Sequence, residues 1–399
     1  CGGASLQVSS GGADAGTCAK DLELPCASLG YALSQASDGD VIEILPGTYR
    51  GPGNRNLHAG GVADLTIVGT GGRDATVLDL ERLGVGFTFD ATAGDVLVEN
   101  LTLTNGFCGA ANASGRNGGG FSLVGSNATI RGVAIRDMDC TLPAVEYLDW
   151  SGGAIYMRDS TALIEDIRVE DCVANHGGGV AGWGADRSVV RNSVFLRTAG
   201  TQWAGTMLME EDAATEFYNV TFAYGSSGYG AALDDGGTAH PLYKDCIFEY
   251  GNAGRGGAAY HYGTSQTRFQ NCIFRHNFAE TATHYISANT KPDFKNCTWY
   301  NNTAVEESGG IRSQYEGSRG TLIFSDCTFV RNVAGTFGGA GTVVAAPGAY
   351  LFQNCTFDGN VAERGGGGAL KLTPVIGSGD PGSPFAIWGS TFVGNSALY

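Results

Sequence analysis

Two columns of apolar residues run through this chain at a near-regular interval. They align on a position that is always Asn, Asp or Gly: Asp64, Asn100, Gly132, Asp166, Asn192, Asn219, Asp245, Asn271, Asn296, Asp326, Asn354 and Gly389. Two places earlier stand Val62, Val98, Ile130, Ile164, Val190, Phe217, Tyr243, Phe269, Phe294, Phe324, Phe352 and Ile387. Three places later stand Ile67, Leu103, Ile135, Val169, Phe195, Phe222, Phe248, Phe274, Trp299, Phe329, Phe357 and Phe392. Asn, Asp and Gly tolerate a left-handed backbone, so the pattern predicts one tight corner repeated twelve times.

Directly after the corner comes a column that includes Cys246, Cys272, Cys297, Cys327 and Cys355, and the next place is often Thr, as at Thr298, Thr328 and Thr356. In-out-in alternation with β-branched residues facing out reads as a short strand. Corners recur every 25–36 residues, most often near 26. A second punctuation, Gly152-Gly153-Ala154, Gly256-Gly257-Ala258, Gly338-Gly339-Ala340 and Gly367-Gly368-Ala369, opens another apolar run in each period. These periods predict an all-β chain: a right-handed parallel β-helix with three strands per coil and about twelve coils.

Residues 1–50 read as an N-terminal cap, with a strand at 5–8, a short helix at 27–37 and an entry strand from Val41. Leu29, Ala32, Leu33 and Ala36 fall on one helix face, suited to covering the open end of a solenoid. Residues 51–399 form the solenoid. The last repeat breaks off at Phe392–Tyr399 without a capping element, which predicts an uncapped end that stacks on another molecule or continues.

Charge and cysteine narrow the setting. A net charge of -16 argues against nucleic acid or an anionic membrane as partner. No apolar run approaches the ~18 residues of a transmembrane helix. Of eleven cysteines, the five in the post-corner column read as a stack of small buried side chains. Cys18 and Cys26 flank a polar loop and are expected to form a disulfide; Cys108, Cys140 and Cys172, on consecutive coils, offer one more pair. Cys1 is left free, bridged to another chain, or lipidated. Disulfides place the protein in an oxidising compartment, secreted or on a cell surface. Among the Asn-x-Ser/Thr sequons, Asn112, Asn127 and Asn301 are the glycosylation candidates, because at Asn100, Asn219, Asn296 and Asn354 the corner itself creates the motif.

The pairing of Gly-Gly-Ala with Phe-x-x-Asn, met at Phe274–Asn277, Phe329–Asn332, Phe357–Asn360 and Phe392–Asn395, resembles the repeat of the chlamydial polymorphic outer-membrane proteins within the pectin-lyase-like β-helix superfamily. The motif fails at Phe195, Phe222 and Phe248. The resemblance implies a surface protein acting in adhesion, although the C-terminal membrane barrel of that family has no counterpart in this sequence.

Parallel β-helices also carry polysaccharide lyases, hydrolases and epimerases, with carboxylates from neighbouring rungs on an outer strand face. Here Glu210, Glu211 and Asp212 follow one Gly-punctuated run, Asp234 and Asp235 follow the next, and His261 follows a third. Rungs ~5 Å apart bring such carboxylates to the spacing of glycoside cleavage, or let them hold Ca²⁺. The plain alternative is an exposed acidic strand end. Tyr147 and Trp150, in a long loop, are sugar-stacking types. No Asn-Thr-Asp or Gly-His-Gly of the polygalacturonase type, no Gly-x-Ser-x-Gly elbow and no Cys/His metal spacing occurs. The sequence alone therefore favours a non-catalytic extracellular rod for adhesion or for assembly into a surface appendage, with itself, other surface proteins or carbohydrate as partners and no cofactor. The second reading is a polysaccharide lyase, hydrolase or epimerase using Glu210, Glu211, Asp234, Asp235 or His261.

Overall fold

A computed structural model describes residues 3–16, 18, 24–91, 94–109, 117–141, 151–287, 289–314, 322–345, 350–374 and 385–398. The chain divides into two compact units, Cys1–Thr201 and Gln202–Tyr399. Each is a stack of parallel strands, so the all-β parallel β-helix is observed.

The corners explain the architecture. All twelve aligned positions have positive φ, from 50° at Asp166 to 63° at Gly389. Five residues further on, a second corner recurs that the sequence pattern did not reveal. It falls at Asn105, Asp137, Asp171, Arg197, Tyr224, Tyr250, His276, Asn301, Arg331, Gly359 and Gly394, again at φ of 50–62°. Three of the four residues between the corners form a strand, as at Thr221–Ala223 and Ile273–Arg275. Tyr, Arg and His are poor left-handed formers, at a cost of ~1–2 kcal/mol each. Ladder bonds offset that cost: the Tyr224 amide donates to Glu249 O at 3.1 Å and the Tyr250 amide to Arg275 O at 3.2 Å.

This second corner corrects the strand count. In the second unit each coil carries four strands rather than three. The added ladder is short and runs from Ser226–Tyr229 through Asn252–Arg255 and Phe278–Ala279 to Ser396–Ala397. The other three ladders are Glu216–Tyr218 to Phe385–Trp388, Thr221–Ala223 to Thr391–Val393, and Met207–Met209 to Leu370–Pro374. In the first unit, parallel pairs link Ser5–Val8 to Val41–Ile44, Gly47–Tyr49 to Thr76–Asp79, and Phe121–Val124 to Ile155–Arg158. Helix Leu29–Gln35 buries Leu29, Ala32 and Leu33, and the Ser28 hydroxyl caps its start by accepting from the Tyr31 amide at 3.3 Å.

Inside the second unit the two apolar columns become continuous ring stacks. Phe217, Tyr243, Phe269, Phe294, Phe324 and Phe352 follow one another at 4.7–5.1 Å between centroids. Phe222, Phe248, Phe274, Trp299, Phe329, Phe357 and Phe392 do so at 4.6–5.1 Å. The Asn of each Phe-x-x-Asn motif points inward and builds an amide ladder: Asn302 Nδ2 donates to Phe274 O at 2.9 Å and to Asn332 Oδ1 at 2.9 Å. The column thiols are buried, as expected, and Cys272 Sγ donates to Tyr243 O at 3.3 Å. In the Gly-Gly pairs the first glycine is left-handed (Gly256, φ 71°) and the second has no room for a side chain, since a β-carbon on Gly257 would lie 2.2 Å from Phe278 O.

Cys18–Cys26 and Cys108–Cys140 are disulfides, leaving Cys172 a buried free thiol. Burial pushes that thiol up to about 12. Asn127 and Asn301 are exposed; Asn112, the Tyr147–Trp150 loop and Cys1 lie outside the described residues.

Candidate functional site

Alternation along the third ladder decides which of the predicted acids meet. Leu208 is in register with Asp234, Asp234 with Tyr260, Tyr260 with Tyr285, and Tyr285 with Arg312. These five share the outer face of the coil. Asp235 is in register with His261 and faces inward. The expectation that Asp235 and His261 belong to an outer acidic site is therefore wrong: period-two alternation sends neighbouring residues to opposite faces.

On the outer face, Asp234 is fully buried and neither of its carboxyl oxygens has a hydrogen-bond partner among the described residues. Burial, then the charges of Glu210 and Asp235, raise its pKa well above the usual carboxylate range. Glu210 lies one rung back and two residues along, about 8 Å away by Cα at ~4.8 Å per rung and ~3.3 Å per residue. Its carboxyl is raised to about 7, first by burial and then by the charges of Asp235 and Glu211. Glu211 sits in a left-handed turn (φ 57°) and is exposed, as is Asp212, which faces His240 at 3.6 Å.

Gly236 opens the notch between these groups. A β-carbon built there would lie 2.5 Å from Glu210 Oε1 and 2.4 Å from the Tyr262 hydroxyl oxygen, so carboxyl and phenol converge over this glycine. Aromatic rings surround the notch. Trp203 packs on Tyr229 at 5.7 Å and on Tyr262 at 5.6 Å. Tyr260 packs on Tyr229 at 5.3 Å, on Tyr262 at 6.0 Å and on Tyr285 at 5.2 Å. The Tyr260 hydroxyl is raised to about 12 by burial and then by Asp234. The exposed guanidinium of Arg255 lies 5.8 Å from the Tyr229 ring and 5.7 Å from that of Tyr285. Sequence reasoning found the acids and missed Trp203, Tyr229, Tyr260 and Tyr262. The available signal was Tyr260 and Tyr285 at equivalent places of adjacent repeats, with Tyr262 two residues along.

Inside the coil, Asp235 Oδ2 accepts from Thr267 Oγ1 at 2.6 Å and lies 3.4 Å from His261 Nδ1, while Oδ1 accepts from the Tyr243 hydroxyl at 3.5 Å. His261 Nε2 meets His284 Nε2 at 2.9 Å. Burial, then His261, push the His284 imidazole well below its usual range. Among the described residues, the acids of the notch do not converge as three ligands for a cation. The one set that does, Asp14, Cys18 and Cys26, includes two sulfurs already bonded to each other.

A family model described as a right-handed beta helix region matches residues 178–362. No curated protein matches the sequence. Among solved structures, the catalytic domain of a GH87 alpha-1,3-glucanase, as its D1069A variant with tetrasaccharides, aligns at a TM-score of 0.58 and 13% identity, covering 97% of this chain and 69% of the other. The same domain with nigerose gives 0.55, again at 13% identity, 97% and 69%. A rhamnogalacturonan lyase gives 0.40 at 12% identity, covering 83% of this chain and 82% of the other.

These similarities fix the fold as a right-handed parallel β-helix. They also overturn the expectation of a non-catalytic rod. That expectation rested on the architecture and on missing sequence signatures, yet nearly the whole length of this chain matches catalytic domains that share little of its sequence.

Proposed function

We propose that the protein is a polysaccharide-cleaving enzyme, a glycoside hydrolase in reaction type, with Asp234 and Glu210 as its carboxyl pair. One observation carries this reading: a wholly buried carboxyl on the outer face of a β-helix, under a roof of tyrosines, with no hydrogen-bond partner among the described residues. Such a group holds its proton and is suited to general-acid work. Glu210 is less deeply buried than Asp234, so its charged form costs less, and it serves as base or nucleophile. The two acids stand on adjacent rungs, two residues apart along the strand direction, a placement of paired carboxyls of the kind glycoside cleavage uses. Trp203, Tyr229, Tyr260 and Tyr262 supply ring faces for pyranose stacking. A bound sugar must displace Tyr260 and Tyr262 to reach Asp234, which also excludes water from the acid. The two disulfides favour an extracellular setting.

The test is a panel of neutral and acidic polysaccharides, with new reducing ends as readout. Wild-type cleavage should fall ~10²–10⁴-fold in Asp234→Asn and in Glu210→Gln, with the fold retained by circular dichroism. Cleavage that survives both substitutions would remove these residues from the chemistry. No cleavage of any substrate would remove the reading. Ultraviolet-absorbing unsaturated ends would make the enzyme a lyase.

A further inference from the structure

The acid beside Asp234 has no part in the chemistry above, although it is the more elaborately held of the two. Asp235 lies in the closed interior with Thr267, Tyr243, His261 and His284, and all five are fully buried. We propose that Asp235 is a positioning residue for the outer carboxyl pair: from inside the coil, its carboxylate keeps the proton on Asp234 and delays ionisation of Glu210. This rests on the function proposed above and deepens it.

Consecutive residues of one strand place the two carboxyls on opposite sides of a single backbone layer, with no solvent around the inner one. A like charge at that range, in a weakly polarisable interior, disfavours a second and a third negative charge outside. The inner charge is itself secured. The Thr267 hydroxyl donates to it at 2.6 Å, the Tyr243 hydroxyl donates from the other side at 3.5 Å, and His261 Nδ1 lies 3.4 Å away with His284 behind. The surfaces around the histidine pair are aromatic: the His284 ring meets Phe269, Phe274, Phe294 and Trp299 edge-to-face at 5.1–6.0 Å. Around Glu210 the facing groups are Glu211 on its own turn, Asp234 and Asp235 on the next strand and the Tyr262 hydroxyl on the one after, with Asp212 and His240 paired nearby. The nearby cationic groups are engaged elsewhere: His240 faces Asp212, and the exposed Arg255 guanidinium lies over the Tyr229 and Tyr285 rings.

The experiment follows the Glu210 side chain directly, by carbon-13 NMR titration of glutamate-labelled full-length protein, with Glu210→Gln assigning the signal. Asp235→Asn removes one charge at constant volume and should lower the Glu210 midpoint by about one to two pH units. Thr267→Val weakens the hold on the inner charge and should lower it by less. If Asp235→Asn does not fold, Thr267→Val carries the test. An unchanged midpoint in the folded variants overturns the proposal.

The kinetic counterpart is a shift of the acid limb of kcat/KM to lower pH by the same amount, with KM within about twofold of wild type. A moved midpoint with an unmoved acid limb would also overturn it, because Asp235 would then be structural only. The titration needs no substrate, so it decides the inner charge's influence even where no polysaccharide is cut, an outcome that removes the proposed function instead.

Discussion

At the scale of single residues, small changes of side chain decide whether the notch exists. Gly236 is not a corner glycine, and its role is to leave space. An added methyl would press on the Glu210 carboxyl and the Tyr262 ring, both at the far ends of flexible side chains. Gly236→Ala should therefore fold with a stability within about 1 kcal/mol of wild type, while KM rises and kcat/KM falls as the notch fills. Thermal melts beside kinetics check this, and unchanged kinetics would mean that the notch is not where substrate lies. Asn302 behaves differently. Its amide donates to Phe274 O and Asn332 Oδ1, and its oxygen accepts from the amide nitrogens of Asn277, both backbone and side chain. Asn302→Ala leaves several buried groups without partners, at ~1–3 kcal/mol each, so urea denaturation should show a loss of several kcal/mol.

At the scale of elements, the outer face of the third ladder holds its acids by register rather than by loop design. Asp234 and Glu210 occupy strand and strand-end positions of adjacent rungs, so the ladder that stabilises the coil also sets their separation. The fourth ladder brings Tyr229 onto the rings of Trp203 and Tyr260. This ladder exists because the second corner turns the chain at Tyr224 and Tyr250, whose rings stack at 4.9 Å on the surface. The corner was invisible in sequence because its column mixes Asn, Asp, Gly, Tyr, His and Arg. Turn preference is a local propensity, and here ladder bonds and ring stacking outweigh it.

At the scale of the whole molecule, the buried acids make stability depend on pH in a definite direction. Glu210 is raised from 4.5 to about 7 in the folded protein. Between those values the folded state binds more protons than the unfolded one, so stability is greatest below pH ~4.5 for this group and declines as pH rises towards 7. The full span corresponds to roughly 3 kcal/mol. Denaturation midpoints should therefore drop between pH 5 and pH 8, and Glu210→Gln should flatten the slope. Asp234, raised as well, carries the slope that remains in that variant; a midpoint that rises over this range, or a slope no shallower in Glu210→Gln than in wild type, would contradict the burial of this carboxyl.

Repetition explains what could be read without coordinates. Twelve corners of Asn, Asp or Gly, two apolar columns and a thiol column specify a parallel β-helix by themselves, because each repeat must bury the same face against the next and no other stacking satisfies all of them at once. The acids at 210, 211, 234 and 235 were also visible as a cluster. Their division was not. Asp234 and Asp235 are the same residue type side by side, and only the register of the strand sends one out under the tyrosines and the other in towards His261. Burial, and with it which carboxyl keeps a proton, depends on atoms contributed by rungs 25 or more residues away, and only the assembled coil brings those atoms together.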